Sequence, residues 1–415
     1  MFEINPSVRS YAWGSRTALP ELCGYTSPAP HPVAEYWFGA HATSPATTPD
    51  GGGLDEWISA SPDRELGGEV RAAYDGRLPY LVKLLSAEEA LSLQAHPSEV
   101  QAREGFTREE SRGIPLGASE RNYKDISHKP ELVVAHTEFH ALAGFRAVPD
   151  TLDLFDILDV RALDPYRSML AGEPDAAGIR AVFTTFVTLP GDSVQGLVSD
   201  VVTAAIGLLR EHGTVHRWAP VATTIVELGE RHPADPGVLG ALLLNRLTLQ
   251  PGEGIYMGAG KLHAYLSGIA VEVQANSDNV LRGGLTPKHV DVPELLRVLD
   301  FTPVEDPVVH PELAASDSEA GWYEYSYATP AREFCVSRID LDAGGRRTDL
   351  DDLGPQILLG TTGEARVGSR NGEQHLPAGR AAWVSADDAD VTVTADSPAQ
   401  IFRTRVDDAT IPVAD

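Results

Sequence analysis

The patterning of this chain predicts a mainly β protein: two double-sheet jelly rolls, with an α-helical domain inserted into the first. Three observations carry that expectation. Short strand-like runs separated by Gly/Pro turns fill 247–275 and return from about 322 to 408. From Pro149 to about residue 246, Ala, Leu and Val recur at helical spacing instead. At 415 residues the chain exceeds one ordinary hydrophobic core and should divide. The expected division is 1–148 for the first part of one roll, 149–246 for the helical insertion, 247–310 for the second part of that roll, and 311–415 for a second roll.

An apolar fraction of 42% and a charged fraction of 22% are those of a soluble globular protein. A formal charge of −27 argues against nucleic acid and anionic membranes as partners. No apolar run approaches the ~20 residues of a membrane span. The opening Met1-Phe2-Glu3-Ile4-Asn5-Pro6 has neither a basic region nor an apolar core, so no signal peptide is expected. The only cysteines, Cys23 and Cys335, lie far apart and outside any metal spacing, which suits a reducing cytoplasm. Five lysines stand against 28 arginines, all in the windows 83–129 and 261–288. Such a bias suggests a local positive cluster that would focus an anionic ligand.

Taken in order, Ala34-Glu35-Tyr36-Trp37-Phe38-Gly39-Ala40-His41 reads as an aromatic-rich strand, with His41 as a structural histidine. Leu78 to Leu85 is a nearly continuous apolar strand broken by Lys83, which either snorkels outward or faces a polar cavity. Leu91 to Pro97 alternates apolar and polar residues, so Gln94 and His96 project from one face of a strand that stops at Pro97. Ser98 is placed to cap a following helix. Leu132 to Phe145 reads as one strand, and its His136 and His140 as structural. Helical segments are expected at 151–160, 175–187, 193–212, 219–231 and 236–246. Strands resume at Leu247, and Leu376 to Val384 weakly echoes Leu249 to Met257. No histidine follows that echo where His263 follows the first run; Asp387-Asp388-Ala389-Asp390 stands there, so the second roll is expected to lack a metal site.

Four pieces remain: Gln94-Ala95-His96-Pro97, His128-Lys129-Pro130-Glu131, Gly260-Lys261-Leu262-His263-Ala264-Tyr265, and Asn276-Ser277-Asp278-Asn279-Val280-Leu281-Arg282-Gly283-Gly284. In this order the set resembles the type I mannose-6-phosphate isomerases (phosphomannose isomerases), zinc enzymes of the cupin superfamily. The resemblance covers most of 1–300, including Ala34 to His41 and Thr286-Pro287-Lys288. It implies a cupin-type double-sheet jelly roll and one Zn²⁺ per chain on Gln94, His96, Glu131 and His263. The residues agree, since nitrogen and oxygen donors without cysteine suit a catalytic zinc. The implied reaction interconverts mannose 6-phosphate and fructose 6-phosphate through an enediol.

That reaction needs a base, a stabiliser for developing negative charge, and a grip on the phosphate. The resemblance puts the catalytic arginine at Arg282, and a guanidinium stays charged at any working pH. Glu272, nine residues after His263 on a strand expected to line the same cavity, is the favoured proton carrier. Lys129 and His128 compete, and His128 could assist opening of the sugar ring. Asp278 and Asn279 are expected to shape the turn that presents Arg282. Ser92 and Lys83, with Lys288 as a lesser candidate, are expected at the phosphate. One departure from the family pattern is Glu99, an acid where that pattern is basic, read here as a solvated helix end. The expectation is a cytoplasmic monomer acting on a small sugar phosphate. A non-catalytic sugar-phosphate-binding cupin is the alternative. An iron oxygenase is disfavoured by Gln94, and a nucleotidyltransferase by the lack of a Gly-rich phosphate loop.

Overall fold

The computed structural model describes residues 1–350 and 354–407. Strands form where β-branched and aromatic residues cluster between turn residues. They are β1 (Phe2–Ile4), β2 (Ser7–Arg9), β3 (Glu35–Gly39), β4 (Tyr80–Ala87), β5 (Leu93–Ala95), β6 (Glu131–Ala135) and β7 (Phe139–Phe145). After the helical insertion come β8 (Leu244–Leu249), β9 (Gly254–Met257), β10 (His263–Ala275) and β11 (Leu281–Gly284). Strands β2 to β11 and the short Val308–Val309 form one eleven-stranded antiparallel system, whose central path runs β9-β6-β10-β4-β3-β2.

The axis of this system is β10. Its second half pairs with β4 and β6, Glu272 lying opposite both Lys83 and Val133. Its first half pairs with β7 and β5, His263 lying opposite both Ala143 and Gln94. Between the halves the register slips at Tyr265/Ser267, and Gly268 adopts φ +117°. A Cβ there would lie 2.5 Å from the Glu138 carbonyl oxygen, so only glycine fits this corner. One bent strand thus serves both sheets of the roll and aims side chains from each half into the space between them.

The single strand expected over Leu132 to Phe145 is two strands, β6 and β7. The turn between them is pinned to the β10 corner: His136 N donates to Ile269 O at 2.9 Å, and Thr137 Oγ1 accepts from Ile269 N at 3.0 Å. The insertion is helical, with helices at Val148–Leu158, Asp164–Gly172, Ala176–Thr188, Gly191–His212, Ala219–Arg231 and Gly237–Ala241. The second was not anticipated; Pro165 in its first turn starts it. The last is shorter than expected, because the chain enters β8 at Leu244. Among the described residues, one helix, Gly191–His212 with the turn after it, is long and apolar enough to cross a membrane. Its stripe of Val194, Leu197, Val198, Val201, Ala205 and Leu208 is buried in the insertion's core instead.

From Glu312 onward the strands form a seven-stranded and a four-stranded sheet. The chain's first strand belongs there and not to the roll that 1–148 was expected to begin: Phe2 pairs opposite Trp383, and Ile4 opposite Ala381. The two rolls share a core. Outward residues Val82, Leu84, Leu132, Val134, Val271 and Val273 of the first pack with Phe334, Ile357, Trp383 and Phe402 of the second. Burying one side chain such as Phe402 contributes roughly 1.5–3 kcal/mol, so this seam is strong. Trp383 seals it by donating its indole N–H to Glu65 Oε2 at 2.8 Å.

Candidate metal centre and active site

Two imidazoles and a carboxylate meet where β5, β6 and β10 converge. Glu131 Oε2 lies 3.4 Å from His96 Nε2 and 3.3 Å from His263 Nε2, and all three residues are at most 1% exposed. Each imidazole is oriented by its other nitrogen. His96 Nδ1 donates to the Asn279 carbonyl at 2.7 Å, and His263 Nδ1 donates to the Lys261 carbonyl at 2.9 Å. A carbonyl can only accept, so each Nδ1 carries a proton, and in the neutral ring Nε2 turns its lone pair toward the carboxylate. Three electron-rich atoms facing each other is an arrangement that a cation resolves. Neither His96 Nε2 nor Glu131 Oε2 has a hydrogen-bond partner, although both are buried.

Gln94 adjoins the set. On β5 it stands opposite His263 on one side and Arg282 on the other. Its side-chain nitrogen is 3.2 Å from His263 Nε2, and a half-turn of the amide would present the oxygen there. The electrostatics favour a cation too. Burial works against the Glu131 charge, but the Lys129 ammonium, 2.9 Å from Oε1, holds its carboxyl well below the ordinary value. Burial pushes the His96 imidazole below its ordinary value and so keeps it neutral. Such a nitrogen and oxygen donor set fits a divalent ion of the zinc type. Among the described residues it is the one His/Cys/Asp/Glu cluster with ligand spacing; His136 and His140 are not part of it.

A buried charge network forms the far wall. Lys83 Nζ donates to Glu272 Oε2 at 2.6 Å and lies 3.9 Å from Glu35 Oε1. Tyr265 donates its hydroxyl to Glu272 Oε1 at 2.5 Å, and Trp37 its indole N–H to Glu35 Oε2 at 2.7 Å. Burial opposes the Lys83 charge, yet Glu272, Glu35 and Glu131 together raise its pKa. Burial also keeps the Tyr265 phenol protonated, its pKa held well above the ordinary value. Lys83 therefore points into this buried network and does not snorkel. Its ammonium, where a phosphate contact was expected, is enclosed and paired with two carboxylates.

Arg282 differs from these groups. It is half-buried on β11 and makes no ion pair among the described residues; burial alone lowers its pKa. Lys288 lies near enough that, after burial, Arg282 further lowers its pKa. Ser92 is half-buried two residues before Gln94. Asp278 lies 3.4 Å from the buried His41, whose hydrogen bond holds the aspartate below its ordinary value. Glu99 begins the helix Glu99–Ser111 in a capping box between Ser98 and Gln101, and its exposed carboxylate meets Arg103 at 2.7 Å, a solvated helix end.

Asn279, expected only to shape a turn, is a fully buried hub. Besides orienting His96, its side chain accepts from Lys124 N and Asp125 N and donates to Asp125 O and Ser127 O. Lys129 and His128 follow directly on that clamped loop. His128 Nε2 lies 2.6 Å from Glu333 Oε1, a residue of the second roll. Tyr265, Glu35 and Trp37 stand inside sequence runs noticed for other reasons. A carboxylate directly before an aromatic run was the available sign for Glu35; for Glu333 there was none.

The family described as phosphomannose isomerase type I, catalytic domain, matches residues 1–148. The mannose-6-phosphate isomerase of Escherichia coli strain K12 is 35% identical over 95% of this chain and 97% of its own. The mouse mannose-6-phosphate isomerase is 29% identical over 97% of this chain and 98% of its own. A crystal structure of mannose 6-phosphate isomerase bound with zinc and yttrium superposes with a TM-score of 0.85 at 33% identity, covering 97% of this chain and 98% of that one.

Proposed function

This chain belongs to the mannose-6-phosphate isomerase family, and from that premise we propose that it is a zinc-dependent aldose–ketose isomerase interconverting mannose 6-phosphate and fructose 6-phosphate. The observation that carries this reading is the convergence of His96, Glu131 and His263, two of their buried ligand atoms unpartnered, beside an arginine with no carboxylate. Gln94, His96, Glu131 and His263 would hold one zinc ion, which when bound supplies a Lewis acid that polarises the sugar's oxygens.

The chain's own residues supply the rest. Arg282 stabilises the negative charge that develops as a proton moves between C2 and C1. Glu272 carries that proton. Each of its oxygens accepts one hydrogen bond, from Lys83 and from Tyr265, so the carboxylate is fixed in orientation and keeps a further lone pair on each oxygen. Lys129, 2.9 Å from Glu131, remains the competing proton carrier, and His128 assists opening of the closed sugar. Lys288 and Ser92 take the phosphate, helped by the field of Arg282. The same reading makes the protein a cytoplasmic monomer with neither nucleic acid nor membrane as partner. The formal charge of −27 supports the exclusion of nucleic acid and anionic membranes, and two cysteines far apart in the sequence suit a reducing compartment.

A coupled assay on mannose 6-phosphate, before and after zinc removal, tests the proposal. Turnover that needs zinc is expected. A folded, zinc-loaded protein without turnover would overturn it.

A further inference from the structure

The second roll holds no metal cluster among the described residues, yet its Glu333 meets His128, on the segment that leads to Glu131 in the first roll. We propose that Glu333, on the 328–334 loop of the C-terminal roll, is a positioning residue that fixes the orientation and tautomer of His128, three residues before Glu131 in the chain. The inference rests on the reading of His128 as a group that acts on the sugar.

The loop is built to present one carboxylate. Ala331 and Phe334, on either side of Glu333, are 3% and 1% exposed in the core shared by the two rolls. Tyr74 donates its hydroxyl to the Arg332 carbonyl at 2.9 Å, tying the loop to the first roll. The carboxylate is then held at both ends: Oε2 accepts from Arg332 N at 3.2 Å, and Oε1 meets His128 Nε2 at 2.6 Å. On the opposite side, Ser127 is fixed through its carbonyl by Ser277 Oγ and Asn279 Nδ2. Both partners are therefore anchored by neighbours, and little freedom remains to lose when the bond forms.

An ionised carboxylate only accepts, so the proton of the pair sits on Nε2, and Nδ1 becomes the ring's acceptor in the neutral form. The charged groups facing His128 are Glu333 and Arg332 from the second roll and Glu99 from the start of the helix Glu99–Ser111; the Tyr256 phenol faces Glu333. Burial lowers the imidazole's pKa, but Glu333 outweighs it, and the net shift is upward. A carboxylate thus holds an acid–base imidazole from behind, as orienting carboxylates do in other acid–base sites.

The test compares Glu333→Gln, Glu333→Asp, His128→Gln and the double variant Glu333→Gln/His128→Gln as full-length, zinc-loaded proteins, with kcat and KM followed from about pH 5 to 9. Glu333→Gln should lower kcat/KM about tenfold or more with zinc content unchanged, and should move the limb belonging to His128 to lower pH. Glu333→Asp should recover part of the loss, and Glu333→Gln should add nothing in the His128→Gln background. An unchanged pH profile, or an equal further loss in that background, overturns the inference. Full activity of His128→Gln would instead remove the reading beneath it. A check needing no variant is the imidazole ¹⁵N shift of His128 in the wild-type zinc-loaded protein. Protonation at Nε2 is expected, and a proton on Nδ1 would overturn the assignment.

Discussion

Replacing Lys83 with methionine separates its buried electrostatic role from any contact with phosphate. Its ammonium lies 2.6 Å from Glu272 and 3.9 Å from Glu35, and all three side chains are less than a tenth exposed. At an effective dielectric of about 20, those separations give roughly 6 and 4 kcal/mol of gross attraction. Desolvation of the three charges cancels much of that, so the intact network adds little net stability over apolar packing. Removing the cation alone is another matter, because it leaves two buried carboxylates facing each other, at a cost of about 3–5 kcal/mol. Lys83→Met should lose that much unfolding free energy, read from denaturant titration of the zinc-loaded protein by tryptophan fluorescence. Adding Glu272→Gln removes one uncompensated charge and should return about half the loss, with activity still absent. Acidity supplies a second check. Burial already raises the Glu35 carboxyl, with Lys83 opposing. Without Lys83 the folded state takes up a proton that the unfolded chain releases, so the deficit should shrink as pH falls toward about 5 and grow above it. A variant as stable as wild type, or a double variant no more stable than Lys83→Met, would refute the reasoning.

Chelation should abolish isomerisation and also lower the unfolding midpoint, because His96 Nε2 and Glu131 Oε2 are then buried without a partner; a midpoint indifferent to zinc would contradict the site. Arg282→Lys should retain zinc but lose about 10²–10³ in kcat, since an ammonium cannot reproduce the planar fork; metal analysis and steady-state kinetics separate the two effects. Gly268→Ala should cost about 2 kcal/mol or more, through positive φ and the close Glu138 carbonyl, and should weaken zinc binding as the corner of β10 shifts. Thermal denaturation and a zinc titration would check both effects.

Much of the site could be read from the chain because its parts are short and local. Gln94 and His96 share a face by simple alternation, Pro97 ends their strand, and His263 and Glu272 lie on one element. The helical insertion was visible by its period, though not the Asp164–Gly172 helix, whose apolar residues are too few to mark it. What stayed hidden was long-range pairing. Lys83 reads identically whether it meets a phosphate or Glu272; only the register of β4 against β10, across 189 residues, decides. The bend at Gly268 was equally invisible, since a glycine within a strand-like run does not say which backbone will approach it. Glu333 sits in a loop with no local signature, and it matters only because the shared core carries that loop to His128.

The pairing of β1 with the strand Ala381–Val384 has a consequence for how the molecule comes into being. β1 leaves the ribosome well before its hydrogen-bonding partner, the strand Ala381–Val384. Until then its edge, and the apolar outer faces of β4, β6 and β10, have nothing of their own chain to cover them. A fragment ending near residue 310 would carry every proposed zinc ligand and still present a raw, sticky flank, so the metal site and the cover of its scaffold come from distant parts of the chain.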